Sequence, residues 1–267
     1  MKKHLSIFAL AIVAIFATES AKAWTNYAHG TAAYIAEQHL TPEAKAKCHY
    51  YLKHTLPYYA SWMDAFRGSK VFKEINSTHT GKSTADGKAY DFEQGSPKGG
   101  VMGHLINALA ELGDGKYKNL PDSVVRQRLI NMAHYVPDMH CPVHIVFPKD
   151  IHPTPNIHNN GKKVNYHTFW DTSLGHDGRY KWPYEKITAI IDVLSEEEIK
   201  AIQAGTLEEW SQDIIEIGHR AWDLVPPGTN VGELTKEQKK EIFEHTSKAV
   251  LIGGYRLAHI LNTIFAE

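Results

Sequence analysis

The spacing of apolar residues along the chain is predominantly that of α-helices. Apolar residues recur at three- and four-residue steps over residues 101–112 and again after Asp122, and residues 31–38 are rich in helix formers. Alternation of apolar and polar residues, which is typical of strands, is scarce. The pattern therefore predicts an all-α fold.

Capping residues predict where several helices begin. Thr41 followed by Pro42 is typical of an N-cap and a first helical residue, and this helix is expected to reach about His54. Asp122 or Ser123 is the expected N-cap of a later helix. In a capping box, Ser or Thr is followed three residues later by Glu or Gln. Three such pairs predict the starts of C-terminal helices, the last of which is expected to reach about Phe265: Ser195 with Glu198, Thr206 with Glu209, and Thr235 with Gln238.

Long loops are expected in two segments that lack a hydrophobic period. Residues 68–98 are rich in Gly, Ser, Thr and Asp, and residues 146–164 contain several Pro and Asn. Short helices are expected at residues 57–66 and 166–174. Because the loops of a helical domain commonly carry its functional residues, we expect the site on the side where these loops lie.

Residues 1–23 have the features of a signal peptide. Lys2 and Lys3 precede an apolar run over residues 5–17, and Ala21 and Ala23 stand at positions minus three and minus one of the expected cleavage site. The run is too short to span a bilayer as a mature helix, so a membrane anchor is the less favoured interpretation. We therefore expect one domain over residues 24–267, secreted or periplasmic, with no membrane anchor after cleavage.

Charge argues against one class of nucleic-acid binder. Removal of residues 1–23 takes away three lysines and one glutamate, so the mature chain would keep 26 basic and 29 acidic side chains. This balance does not suggest tight, sequence-independent binding of long duplexes through a basic surface. It is compatible with a nuclease that holds phosphate through metal ions. The sequence shows no evident protein partner, and a monomer is expected.

Among the 17 histidines, two stand four residues before an aspartate with further histidines or family-like motifs nearby. His134 precedes Asp138 in this way, and His167 precedes Asp171, so that on a helix each pair lies on one face. Imidazole nitrogens and carboxylate oxygens are usual zinc ligands. His144 follows the first pair by six residues. The repeated pairing predicts a metal site, and the alternative is a chance pairing of surface histidines.

Further motifs surround these pairs. Trp24 directly follows the expected cleavage site and His29 comes five residues later, while residues 62–67 read Trp-Met-Asp-Ala-Phe-Arg. The segment 165–171 reads Asn-Tyr-His-Thr-Phe-Trp-Asp. Together with His134, Asp138 and His144, these motifs resemble the S1/P1 type single-strand-specific nucleases, part of a zinc-dependent superfamily with a phospholipase C branch. The resemblance spans residues 24 to about 175 and implies a single helical domain with long loops around a metal cleft.

The resemblance also implies three zinc ions. The first two would be held by side chains, whereas the third would also use the free α-amino group that signal cleavage creates. Asp138 would bridge two of the ions. The implied ligands are Asp64, His79, His134 and Asp138 for the first ion, His144, His167 and Asp171 for the second, and the amino group and carbonyl of Trp24 with His29 and Asp138 for the third.

The activity that the resemblance implies is phosphodiester hydrolysis. The expected substrates are single-stranded nucleic acid or 3′-nucleotides, and the expected reaction is attack of a metal-bound hydroxide on phosphorus. Arg67 would hold a phosphate oxygen through its fork of donors, and Asp64 would influence the attacking water. A phospholipase C-like enzyme is the alternative. A periplasmic zinc-binding protein without catalytic activity is the least favoured interpretation.

Two positions depart from the family pattern. In the nucleases, an aromatic residue and then an acid or amide follow the histidine that corresponds to His79, whereas residues 80–82 of this chain read Thr-Gly-Lys. Since aromatic rings stack on bases, either a base pocket lies elsewhere or the substrate is not a nucleotide. Pro137 replaces the usual glycine and predicts a kink in its helix.

The remaining histidines and the cysteines have weaker signals. His104 lies in an apolar helical segment and is expected to be a buried or partly buried histidine with a local partner. His140 is expected to point away from the face that carries Asp138. Cys48 and Cys141 are the only cysteines, and the sequence leaves open whether they form a disulfide or whether Cys141 ligates a metal.

Overall fold

Helices dominate the part of the chain that the structure describes, residues 24–66, 69, 79–176 and 182–266. The computed structural model confirms the all-α prediction. Arg67 and the signal peptide predicted for residues 1–23 lie outside the described residues. The described α-helices are α1 (Asn26–Gln38), α2 (Pro42–Leu52), α3 (Leu56–Tyr59), α4 (Trp62–Ala65), α5 (Gly100–Leu112), α6 (Asp122–Met139), α7 (Tyr166–Asp171), α8 (Tyr184–Ile191), α9 (Glu196–Gln203), α10 (Leu207–Leu224) and α11 (Lys236–Phe265).

Most of the predicted helix starts are confirmed. The Thr41 hydroxyl accepts a hydrogen bond from the Ala44 backbone N–H, and α9, α10 and α11 each begin with a complete capping box. The prediction that Asp122 or Ser123 caps α6 is wrong, because Pro121 occupies the N-cap position and no side chain caps the helix. Asp122 instead lies in the first turn, where its negative charge interacts favourably with the positive end of the helix dipole.

Other predicted boundaries need correction. The second helix ends at Leu52 rather than near His54, since Lys53 adopts the left-handed conformation with φ of 64°. The helix expected over residues 57–66 is two short helices, α3 and α4, separated at Ala60 and Ser61. Helix α6 continues through Pro137 to Met139, so the helical spacing of its two predicted ligands is preserved.

Short strands occur inside the segments that were predicted to be loops. Strand β1 (Gly81–Lys82) pairs in parallel with β2 (Ile145–Val146), and β3 (Ile157–Asn159) forms an antiparallel pair with β4 (Lys162–Val164). A Cβ atom at Gly81 would lie 2.2 Å from the Tyr90 hydroxyl oxygen, so β1 fits only without a side chain there. The β1–β2 pair brings the segment after His79 beside the segment after His144.

Helix α11 is the centre of the core. It packs against α1, α6, α9 and α10, and it carries a long row of buried residues from Ile242 to Phe265. Cys48 and Cys141 are both buried free thiols in separate hydrophobic clusters, so they do not form a disulfide in this structure. Among the described helices, none combines the length and the apolar character needed to cross a membrane.

Candidate metal centre

Helices α1, α4 and α6 bring one group of predicted ligands together. On α6, His134 Nε2 lies 3.0 Å from Asp138 Oδ2, as the four-residue spacing predicts. His29 of α1 stacks on the His134 ring with a centroid distance of 4.2 Å. The His29 Nε2 atom lies 3.3 Å from Asp138 Oδ1 and 3.8 Å from Asp64 Oδ2. Ligand atoms of His29, Asp64 and His134 are close enough to hold one metal ion.

A second group lies where the chain leaves α6 and where α7 ends. His144 Nε2 lies 3.7 Å from Asp171 Oδ1, and His167 Nε2 lies 3.4 Å from Asp171 Oδ2. The Cys141 thiol is 3.7 Å from Asp171 Oδ1. Cys141, His144 and Asp171 also form a group compact enough for a metal ion. Burial raises the pKa of the Cys141 thiol to about 12, which opposes formation of a thiolate in the absence of metal.

Asp138 joins the two groups. Its Oδ1 atom lies 3.1 Å from His144 Nδ1, while its Oδ2 atom faces His134. Burial opposes ionisation of this carboxyl, but the surrounding imidazoles of His134, His144 and His29 hold its pKa well below the usual range. A charged carboxylate is therefore present between two clusters of imidazoles, which is the arrangement expected of a ligand shared by two ions.

The remaining predicted ligands border these groups. The His79 ring lies beside His144, with a centroid distance of 5.2 Å, and its assignment to the set of Asp64 stays a prediction. Trp24 is fully buried, and its ring meets the His29 ring edge-on at 6.5 Å. The backbone N–H of Thr25 donates to the Asp171 carbonyl, so the start of the predicted mature domain is held against the end of α7.

The donor groups fit metal ions. Seven buried atoms of this centre make no hydrogen bond of ordinary geometry among the described residues, although most lie 3.0 to 3.7 Å from an ion-pair partner. They are both nitrogens of His29, both nitrogens of His144, both oxygens of Asp138, and Asp171 Oδ2. Buried polar atoms are rarely left without partners unless an unseen ion or water satisfies them. His134 Nδ1 donates to the Ala60 carbonyl at 2.8 Å, so Nε2 faces the carboxylates. Such a bond from the second ring nitrogen to a backbone carbonyl is common for histidines that ligate metals, because it fixes the orientation of the ring.

Two imidazoles of the centre are suited to ligation near neutral pH. Burial and the neighbouring His134 lower the pKa of His29. Burial, together with His144, lowers the pKa of His167 to about 4. A zinc ligand must be a neutral imidazole, so neither ring has to lose a proton before it binds. His167 is also the more accessible of the two, with 29 % of its side chain exposed against 0 % for His29.

The other histidines of interest have structural partners. His104 is partly buried and stacks on Tyr135 with a centroid distance of 4.9 Å, which confirms the expected local partner. His140 is buried, donates from Nδ1 to the Val136 carbonyl and accepts at Nε2 from Arg256. It therefore supports α6 from the side of α11 and supplies no lone pair to the centre.

Spacing did not identify two features next to the centre. Cys141 stands three residues before His144, and the sequence left open whether it ligates a metal, but no spacing links it to Asp171. A cleft beside His167 is lined by Phe147, His152, Tyr166 and Trp222, which are scattered over the sequence. Their convergence depends on the fold.

Comparison with known proteins agrees with the all-α fold. A family model described as S1/P1 Nuclease matches residues 24–266. A search of curated proteins gave no match. S1/P1 nucleases are zinc enzymes that act on phosphodiester bonds of nucleic acid. Since the match covers nearly the whole chain, this protein belongs to the S1/P1 nuclease family.

Proposed function

We propose that this protein is an exported zinc-dependent phosphodiesterase that hydrolyses single-stranded nucleic acid, 3′-nucleotides or both. The observation that supports this most directly is Asp138, a fully buried carboxylate in contact with imidazoles of both ligand groups. A closed structural zinc site has no need of such a shared ligand, whereas paired metal ions are typical of phosphodiester hydrolysis.

Three zinc ions are proposed for the centre. When bound, zinc would lower the pKa of a water molecule and offset the negative charge of the phosphate. The described ligands would be Trp24, His29, Asp64, His79, His134, Asp138, His144, His167 and Asp171. Their number and their unmet hydrogen bonds support more than one ion, because a tetrahedral zinc site takes only four ligands.

Access to the centre supports specific roles for several residues. His29, His134, His144 and Asp138 are fully or almost fully buried, whereas His79 and His167 are partly exposed. Substrate would therefore approach from the side of His79 and His167. Asp64, with 8 % of its side chain exposed, would orient or deprotonate the attacking water, and Arg67 would donate hydrogen bonds to a phosphate oxygen.

Export belongs to the same proposal. Cleavage after Ala23 would give Trp24 a free α-amino group, which can bind zinc where a peptide nitrogen cannot do so in the same way. The burial of Trp24 and the bond from Thr25 to Asp171 keep this end of the chain close to the centre. Secretion to the periplasm or the medium would thus couple maturation to assembly of the third zinc site.

The proposal is tested with protein produced with residues 1–23 in an exporting bacterial host and loaded with zinc. Hydrolysis of single-stranded DNA, RNA, 3′-AMP and phosphatidylcholine would be measured beside the Asp138→Asn variant. We expect cleavage of nucleic acid or nucleotide and a loss of at least about 100-fold in the variant, because removal of the shared charge weakens both ligand groups. Zinc analysis should give three ions in the wild type.

Circular dichroism of the variant distinguishes loss of chemistry from loss of folding. Cleavage of phosphatidylcholine alone would contradict the proposal and favour a phospholipase. Full activity of a correctly folded Asp138→Asn variant would show that the centre described above is not the catalytic site. Mass spectrometry of the exported protein should give Trp24 as its first residue.

A further inference from the structure

An aromatic cleft opens beside the metal centre. We use this name for the cavity lined by Phe147, His152, Tyr166, His167, Trp222 and Lys163, together with smaller side chains between them. It encloses about 380 Å³, a volume within the range of small-molecule sites. Because His167 is at once a proposed zinc ligand and part of the lining, a phosphate at the centre would place the attached sugar and base near this cleft.

The rings of the aromatic cleft form one connected group. His152 lies parallel to Trp222, with a centroid distance of 4.6 Å and an interplanar angle of 5°. Tyr166 contacts the same indole at 4.9 Å, and Phe147 meets His152 edge-on at 4.8 Å. Phe147 and Tyr166 are buried, whereas His152 and Trp222 are partly exposed.

Hydrogen bonds fix the orientation of His152. Nε2 of His219 lies 2.8 Å from the Gly87 carbonyl, so it must donate to that oxygen. Nδ1 of a neutral His219 is then an acceptor, and His152 Nε2 donates to it at 2.8 Å. The remaining nitrogen of His152, Nδ1, is left as a hydrogen-bond acceptor. A ring held in one tautomer between Trp222 and Phe147 loses little freedom when a ligand stacks nearby.

The charge of the lining favours one class of occupant. Lys163 is exposed and lies on the cleft, and the structure places no carboxylate among the lining residues that it describes. A quaternary ammonium head group would meet the positive charge of Lys163 with no carboxylate in the lining, since Asp223, whose charge acts on His152 and Tyr166, lies outside it. A nucleobase presents a flat π face to the rings and carbonyl or ring nitrogen acceptors to the lysine.

We infer that the aromatic cleft is the nucleobase subsite of this enzyme, with Trp222 and His152 as its specificity-determining residues. The inference rests on the proposed function, because it assumes that a nucleotide phosphate occupies the metal centre. Residues 80–82, Thr-Gly-Lys, offer no ring beside His79, so stacking has to come from another part of the chain. The cleft supplies it from residues 147, 152, 166 and 222.

The test compares substrates with and without a base at a single scissile bond. One substrate is the dinucleotide of deoxyadenosine and thymidine, and two analogues carry a tetrahydrofuran abasic residue in place of one or the other nucleoside. The exported, zinc-loaded protein and its Trp222→Ala variant would be compared by KM and kcat. We expect KM for the dinucleotide to rise on the order of 5- to 150-fold, as loss of one base stack predicts.

The base-free analogues identify the cause. The rise should disappear for the analogue that lacks the base held in the cleft and persist for the other. Calorimetric binding of the slowly hydrolysed phosphorothioate dinucleotide to the metal-free protein and its variant should weaken by the same factor, since the effect is on binding. Tyr50→Ala removes an exposed ring that does not line the cleft and should leave KM unchanged. Trp222→Phe keeps a stacking ring and should recover most of the affinity.

Folding and function have separate readouts. If Trp222→Ala does not fold, Thr154→Trp replaces it as the test, since this exposed residue lines the cleft and a bulky ring there should raise KM in the same base-dependent way. Equal changes of KM for all three substrates, or no change for any, would overturn the subsite. A wild-type protein that cleaves none of the three and does not hydrolyse 3′-AMP or single-stranded nucleic acid would overturn the proposed function and the subsite with it, whereas cleavage of those substrates but of none of the three would overturn the subsite alone.

Discussion

Several buried and partly buried histidines of this protein differ in the groups that their ring nitrogens face. His29, His134 and His144 face carboxylate oxygens at 3.0 to 3.3 Å. His245 instead faces the Ile217 carbonyl at 3.0 Å, and His140 faces the Val136 carbonyl at 2.8 Å. His134 also donates to a carbonyl, that of Ala60, but its second nitrogen faces Asp138, whereas the second nitrogen of His140 accepts from Arg256 and is not free for a metal. The carboxylate partners therefore separate the proposed ligands from histidines that only stabilise helices.

His245 predicts a pH dependence of stability. Burial lowers its pKa from 6.5 to about 4, although the Ile217 carbonyl acts in the opposite direction. Between these values the unfolded chain binds more protons, so this contribution is complete above pH 6.5 and is lost as pH falls toward 4. The His245→Gln variant keeps a donor for Ile217 but does not titrate. From pH 7 to pH 4, the unfolding free energy of the wild type should fall by at most about 3 kcal/mol more than that of the variant.

Urea denaturation of both proteins at several pH values measures this difference. Loss of zinc in acid affects both proteins alike and cancels in the comparison. Parallel curves for wild type and His245→Gln would show that His245 titrates normally in the folded protein.

At the scale of elements, two glycines of α11 determine how closely the ligand-bearing helices approach. A Cβ atom at Gly254 would lie 2.9 Å from the Ala32 carbonyl oxygen of α1 and 2.8 Å from an Ile35 methyl carbon. A Cβ atom at Gly253 would lie 3.2 Å from the Pro137 Cα of α6. Helix α11 therefore contacts backbone on both sides. This close packing sets the distance between the helices that carry His29 and Asp138.

The Gly254→Ala variant tests this packing. Alanine favours a helix by about 1 kcal/mol over glycine, but overpacking in a core usually costs about 1 to 3 kcal/mol. Because backbone atoms of α1 cannot move aside as a side chain end can, we expect net destabilisation by about 1 to 2 kcal/mol and weaker zinc binding. Urea denaturation and zinc titration measure the two effects.

Lys248→Ala, an exposed change in the same helix, should alter stability by less than about 0.5 kcal/mol. Stabilisation by Gly254→Ala would mean that α1 and α11 are not in close contact.

Short-range sequence patterns predicted the helices better than the short strands and the breaks between helices. The capping boxes at Ser195, Thr206 and Thr235 were correct because both partners lie within one helical turn. The strands β1 to β4 were missed because each has only two or three residues, too few to show alternation. The break at Ala60 and Ser61 has no proline or glycine to mark it, and helix α8 has no capping box.

At the scale of the whole molecule, the site is assembled from distant parts of the chain. The pairs on α6 and α7 were visible as four-residue spacings, whereas His29 and Asp64 were assigned through the family resemblance. The aromatic cleft had no local signal, since residues 147, 152, 166 and 222 meet only when α10 packs against β2. Gly218 permits that contact, because a Cβ atom there would lie 2.3 Å from an Ile145 methyl carbon. The sequence alone thus predicted the metal ligands but not the aromatic cleft.

Metal binding and folding should therefore be coupled across the molecule. Helices α1, α4, α6 and α7 all contribute to the centre, and without metal its buried atoms lack hydrogen bonds. Zinc at about a thousand times its dissociation constant would add about 4 kcal/mol to the unfolding free energy. For a chain of this size, each kcal/mol corresponds to about 2 to 4 °C in the melting temperature. Excess EDTA should thus lower the melting temperature by roughly 10 °C, as measured by circular dichroism, and zinc should restore it.

The effect of EDTA should be much smaller in Asp138→Asn, because this substitution already weakens zinc binding before the chelator is added. An equal melting temperature with and without EDTA, in protein shown to have lost its zinc, would mean that the ligand clusters form without metal and that the ions serve catalysis alone.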